Sequence, residues 1–185
     1  MHARDIASTL EHLRDAFGQE GIPFGIIGAL ALPYYGYERF TEDIDIVTTR
    51  EGLDRIHERL VGLGLRPRGP GLRKKLRHIG FKVDIDVVTA GEHAGSAESP
   101  VVFPDPTSAA FVDQGGLRVV VLEKLIELKI ASGMWGKRDQ DLVDVQKVIR
   151  ANRLTESFAD RFPNALKSVY LDLLARSREE RDLEE

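Results

Sequence analysis

Asp43 and Asp45, separated by the single residue Ile44, are the side chains whose type and spacing point most directly to chemistry. In a strand, residues two apart project from the same face. Asp43-Ile44-Asp45 therefore sends two carboxylates one way, while Ile44 and Ile46 turn to the core. Carboxylates this close repel unless something neutralises them. A divalent cation does so, and Mg2+ favours carboxylate oxygens together with substrate phosphates. A third carboxylate, Asp86, lies in Phe81–Thr89, where Phe81, Val83, Ile85 and Val87 alternate with Lys82, Asp84 and Asp86. If that strand lies beside the first, Asp86 converges on Asp43 and Asp45, and three carboxylates suffice for a two-metal phosphoryl-transfer site. Asp84 shares the face and is the secondary candidate. Mg2+ is the expected cofactor, with Mn2+ as its substitute.

Gly28-Ala29 precedes this pair by about fifteen residues, after the apolar run Phe24–Ile27 and before a helical pattern. Backbone N–H groups at a strand-to-helix junction cradle phosphate; the plainer reading of Gly28 is a turn glycine. Competing motifs fit less well. A phosphatase nucleophile motif needs its aspartates at the carboxyl end of an apolar strand, whereas here Phe40-Thr41-Glu42 precede them and the apolar residues follow. There is no Gly-rich dinucleotide fingerprint and no Walker loop.

The elements that must position these groups follow from periodicity. Ile6, Leu10, Leu13 and Phe17 predict a helix over Ala3–Gln19. Strands are expected at Phe24–Ile27, Ile44–Thr48, Phe81–Thr89 and Leu117–Val121, and helices at Ala29–Tyr35 and Glu51–Leu63. Gly64–His78 reads as a polar connection centred on Gly69-Pro70-Gly71, and Ala90–Ala110 as a long surface loop. From Leu122 the pattern is helical: Leu122–Ser132, Asp139–Ala151, Leu154–Arg161 and Asn164–Arg176. The expected organisation is an α/β core at 1–121, a helical region at 122–177 and a charged tail at 178–185.

With 185 residues the chain suits one compact domain, or one core with an appended helical part. A net charge of −4 argues against a generally basic nucleic-acid binder, leaving room for a local basic patch. Without cysteine there is no disulfide, zinc–thiolate or thiol chemistry. No apolar segment resembles a signal peptide or a membrane span, so a cytoplasmic protein without a membrane partner is expected.

The segments Ile27-Gly28-Ala29-Leu30-Ala31, Arg39 to Ile46 and Val83 to Gly91 resemble the nucleotidyltransferase superfamily that includes polymerase beta. They are most similar to bacterial minimal and abortive-infection-type (AbiEii-like) members. Leu122 to Met134, with Arg138 and Asp141-Leu142-Val143-Asp144, is similar to the helical part of that group. The resemblance covers roughly Gly21 to Arg150. It implies a small mixed sheet flanked by helices and followed by a helical part, an ATP- or other triphosphate-binding transferase, and Asp43, Asp45 and Asp86 as catalytic metal ligands. Gly28 and Ala29 would bind the nucleotide, as would Lys129 and Asp141. Lys129 would contact phosphate, and Asp141 would orient Lys129 or the base; an ion pair between two surface helices is the alternative. Where the superfamily carries Gly-Gly or Gly-Ser, this chain has Gly28-Ala29, which keeps the N–H but offers no hydroxyl.

Two functions remain open at this level. One is transfer of a nucleoside monophosphate to a hydroxyl on tRNA or other RNA, a protein or a small molecule. The other is a binding module with little turnover, a toxin–antitoxin partner or nucleotide sensor. A sugar-nucleotide glycosyltransferase is a weaker third, because the chain is short for one. Arg66, Arg68, Arg73, Lys74, Lys75, Arg77 and His78 form a basic cluster that would attract a polyanion or serve as a solvated loop. Tyr34, Tyr35 and Tyr37 suit core packing better than base stacking, and Trp135 reads as a packing anchor. His57 and His93 have no ligand-spaced partners.

Overall fold

A computed structural model describes the backbone of residues 3–184 and the side-chain surroundings of residues 4–179. Of the tail expected at 178–185, residues 180–185 thus lie outside the described surroundings. The chain forms two compact units, each discontinuous in sequence. The first comprises residues 1–30, 40–92 and 103–120, and the second residues 31–39, 93–102 and 121–185.

The first unit holds a seven-stranded mixed sheet in the order β3-β4-β5-β2-β1-β7-β6. Its strands are β1 (Phe24–Ile26), β2 (Asp43–Thr48), β3 (Leu65–Pro67), β4 (Lys75–His78), β5 (Asp84–Thr89), β6 (Phe111–Gln114) and β7 (Leu117–Val120). Its helices are α1 (Ala3–Gln19) and α2 (Arg50–Arg59). The apolar stripe expected on α1 is largely buried through Ile6, Leu13 and Phe17, and Phe17 meets Phe24 edge-to-face at 5.0 Å. Thr49 caps α2 by accepting the Gly52 N–H at 2.9 Å, satisfying a donor that the first helical turn leaves unpaired.

Parallel pairing of β2 with β5 aligns Asp43 with Asp84 and Asp45 with Asp86. Ile44, Ile46, Ile85 and Val87 are buried on the opposite face. A one-residue slip would bury the carboxylates instead, so the isoleucine pattern fixes the register.

Gly64–His78 is a correction. It is not a polar connection: β3 and β4 form an antiparallel hairpin, and β4 pairs with β5. The signal was hidden because Leu65 and Leu76 are the only buried apolar members of strands otherwise dense in Arg and Lys, with His78 buried beside them. The β5 strand also starts later than alternation suggests. Phe81 is exposed and Lys82 takes φ +59, turning the chain between β4 and β5.

The second unit holds α3 (Leu122–Gly136), α4 (Asp139–Ala151) and α5 (Asn164–Glu184), with a short 3-10 helix at Glu156–Arg161. Its 93–102 segment is irregular, yet Ala94, Ser99 and Val101 are buried. Gly95 accounts for this: a Cβ there would lie 2.7 Å from the Ala131 carbonyl oxygen and 2.8 Å from the Gly136 nitrogen, so only glycine passes so close to α3. That part of Ala90–Ala110 is therefore packed, not a surface loop. Among the described residues no helix is long and apolar enough to cross a membrane.

Candidate functional site

The β2–β5 register brings together the three carboxylates singled out from sequence. One oxygen from each of Asp43, Asp45 and Asp86 lies within 4.8 Å of the others, and all three residues are half-buried. This donor set suits a hard divalent cation, which takes oxygen ligands and offsets the repulsion among the three. Asp43 also accepts the Thr41 hydroxyl at 2.8 Å, which orients the carboxylate without neutralising it.

Gly28 has two reasons to be glycine. Its φ is +67, a left-handed conformation costly for residues with a Cβ. An added Cβ would also collide with the Asp45 carboxylate and stand 2.9 Å from the Asp45 Cβ. The eight-residue helix that follows, Gly28–Tyr35, is of the tight 3-10 type, with Pro33 inside it. Ala29 is buried. Gly28→Ala is expected to cost about 1–3 kcal/mol through backbone strain and to displace Asp45. Urea unfolding and Mn2+ binding would both record this; a variant matching wild type in each would show that the approach of Gly28 to Asp45 is not needed.

Asp84, the secondary candidate, is otherwise engaged. Arg77 grips it through Nε and Nη2 at 2.5 and 2.9 Å, and Arg68 Nη1 adds a contact at 3.1 Å. The Arg77 hydrogen bond, opposed by partial burial and helped by Arg68, holds its carboxyl below the ordinary range. Arg68 also donates from Nη2 to Asp86 Oδ1 at 2.8 Å, and Lys75 donates to Asp86 Oδ2. Three members of the expected basic cluster thus answer the acidic strand β5. Sequence reasoning missed this; the available signal was Lys75-x-Arg77 facing Asp84-x-Asp86 across a short turn.

Lys129 and Asp141 meet in the second unit, where the Lys129 ammonium donates to Asp141 Oδ1 and Asp144 Oδ2, both at 2.7 Å. All three residues are buried, Asp144 completely. Arg39 Nε adds a bond to Asp144 at 3.1 Å, and Gln140 one at 3.0 Å. Burial pushes the Asp141 carboxyl up, but the charge and hydrogen bond of Lys129, helped by a Ser132 hydrogen bond and the Arg138 charge, outweigh it and leave the group below its usual value. The cluster is a buried network, unlike a surface ion pair. The place of Asp144 was legible in principle, since i,i+3 positions share a helix face.

Among solved structures, the chain is similar to the antibiotic-resistance factor ANT(2'')-Ia in solution, at 18% identity over 97% of this chain and 96% of that one, with a TM-score of 0.50. The chain has a nucleotidyltransferase fold. Crystalline ANT(2'')-Ia in complex with adenylyl-2''-tobramycin is also similar, with 18% identity, coverage of 94% and 97%, and a TM-score of 0.48. A candidate nucleotidyltransferase from H. pylori matches at 15% identity, covering 94% of this chain and 84% of that one, with a TM-score of 0.48. No family model matches the sequence. No curated protein sequence matches it. On this nucleotidyltransferase fold, the carboxylate triad lies wholly within the first unit.

Proposed function

We propose that this protein transfers a nucleoside monophosphate from a nucleoside triphosphate to an acceptor hydroxyl. The observation that carries the reading is the convergence of Asp43, Asp45 and Asp86 within 4.8 Å. In the reaction, the acceptor hydroxyl gives up its proton to solvent and its oxygen bonds to the α-phosphorus. The bond from that phosphorus to the bridging oxygen breaks, and pyrophosphate leaves. A divalent cation held by the three aspartates would neutralise developing phosphate charge and lower the pKa of the attacking hydroxyl. Asp86 is assigned to the acceptor side and Asp43 with Asp45 to the triphosphate side. Gly28 and Ala29 contribute backbone at the phosphate end. Lys129 and Asp141 are assigned as nucleotide contacts on the resemblance, with Asp144 and Arg39 as their positioning residues. The AbiEii-like grouping and an acceptor hydroxyl on tRNA or other RNA, a protein or a small molecule belong to this proposal, whereas a toxin–antitoxin role belongs to its alternative, the binding module.

A binding module with little turnover is favoured by one specific observation: Asp86 is already held by Arg68 and Lys75. The two readings separate on incubation of the full chain with each α-labelled triphosphate, Mg2+, and total RNA, lysate protein or small polyhydroxylated acceptors. Transfer predicts Mg2+-dependent label on one acceptor class. No label on any of them, alongside intact triphosphate binding, would favour the binding module.

A further inference from the structure

Asp86 differs from a metal ligand waiting in solvent. Both of its oxygens are occupied by cations of the β3–β4 hairpin: Oδ1 by Arg68 and Oδ2 by Lys75. Its charge is therefore answered inside the protein before any metal arrives. To ligate a divalent cation, Asp86 must surrender one of these partners. Arg68 is forked across Asp84 and Asp86, at 3.1 and 2.8 Å, so its planar guanidinium keeps a carboxylate whichever way Asp86 turns. Lys75 lies directly across the ladder from Asp86, its side chain 46% exposed on a flexible stem. It is the partner that can move away.

We infer that Lys75 is a built-in competitor for the third metal ligand, setting the divalent-cation affinity of the triad by occupying Asp86. This rests on the metal-binding part of the reading above. The competition has a direction: a cation entering the triad must displace an ammonium, so its affinity is weakened by the stability of that ion pair. Arg77 provides the internal comparison. It carries the same charge on the same strand, two residues away, but grips Asp84, which is outside the triad.

The test is Mn2+ binding to the full chain, followed by electron paramagnetic resonance of the free ion, with circular dichroism to verify folding. Lys75→Met is expected to bind Mn2+ roughly three- to fivefold more tightly than wild type, the scale of one partly exposed ion pair. Lys75→Gln should match it, and Lys75→Arg should stay near wild type. Arg77→Met should tighten binding far less. Unchanged or weaker binding in Lys75→Met and Lys75→Gln would overturn the inference, as would equal tightening in Arg77→Met, which would mean a diffuse charge effect. Wild-type protein that binds no Mn2+ would overturn the metal reading itself, a result distinct from either.

Discussion

Asp86→Asn is expected to leave the fold and most triphosphate binding intact while reducing acceptor labelling on the order of a hundredfold or more, the scale of a lost activating group. Asparagine keeps the size of aspartate and removes its charge. Asp43 and Asp45 remain, and with them the side of the site assigned to the triphosphate. What disappears is the carboxylate assigned to the acceptor hydroxyl. The surroundings bear the change well, because Asp86 is half-buried on an interior strand and both of its cationic partners, Arg68 and Lys75, keep access to solvent. Arg68 retains Asp84 when Asp86 loses its charge. Single-turnover labelling with the acceptor class found for wild type measures the effect, and equilibrium binding of the same triphosphate provides the comparison. Full labelling by the Asn variant would remove Asp86 from the reaction. Equal loss of binding and labelling would instead assign it to holding the nucleotide.

How much of this was legible in the sequence depended on whether a residue's partner was local. Asp43-x-Asp45 and Asp86 were readable because period-two alternation with buried isoleucine and valine fixes both face and register. The hairpin carrying Lys75 and Arg77 was not. Its two strands are three and four residues long, too short for a pattern, and their charges suggested solvent. β4 is held by pairing with β5, and β3 by pairing with β4, while the acidic groups of β5 that meet Arg68 lie 16 and 18 positions from it in sequence. The role of Gly28 was half legible. A glycine at a strand-to-helix junction suggested a phosphate cradle, but its contact with Asp45 comes from the antiparallel pairing of β1 with β2, which residue types alone do not state. Lys129 lay within a run of apolar residues on α3, and Asp141 and Asp144 on one face of α4. That the three meet depends on helix packing that no local pattern encodes.

The buried network makes a large loss of stability the expected effect of removing Lys129. Its ammonium is shared by Asp141 and Asp144, both at 2.7 Å, in a setting where Asp144 has no exposure. Lys129→Met fits a similar volume but strands negative charge in the interior. Breaking one partner of a buried ion pair costs about 3–5 kcal/mol, and urea unfolding should record a loss of that order. Asp144 keeps Arg39 and Gln140, so the greater share falls on Asp141, which keeps the Ser132 hydroxyl but, as a cation, only a mostly exposed Arg138 at 3.6 Å. The double variant Lys129→Met/Asp141→Leu should therefore recover part of the loss, because it removes the charge left without its main partner. The pH dependence has a defined sign. Lys129 holds the Asp141 pKa below its unfolded value despite burial, so its contribution is present above the unfolded pKa and lost as pH falls through the folded one. In Lys129→Met the same carboxyl accepts a proton more readily, so the gap to wild type should narrow on acidification. A loss under about 1 kcal/mol, comparable to an exposed pair, together with a gap independent of pH, would show that the network does not depend on Lys129.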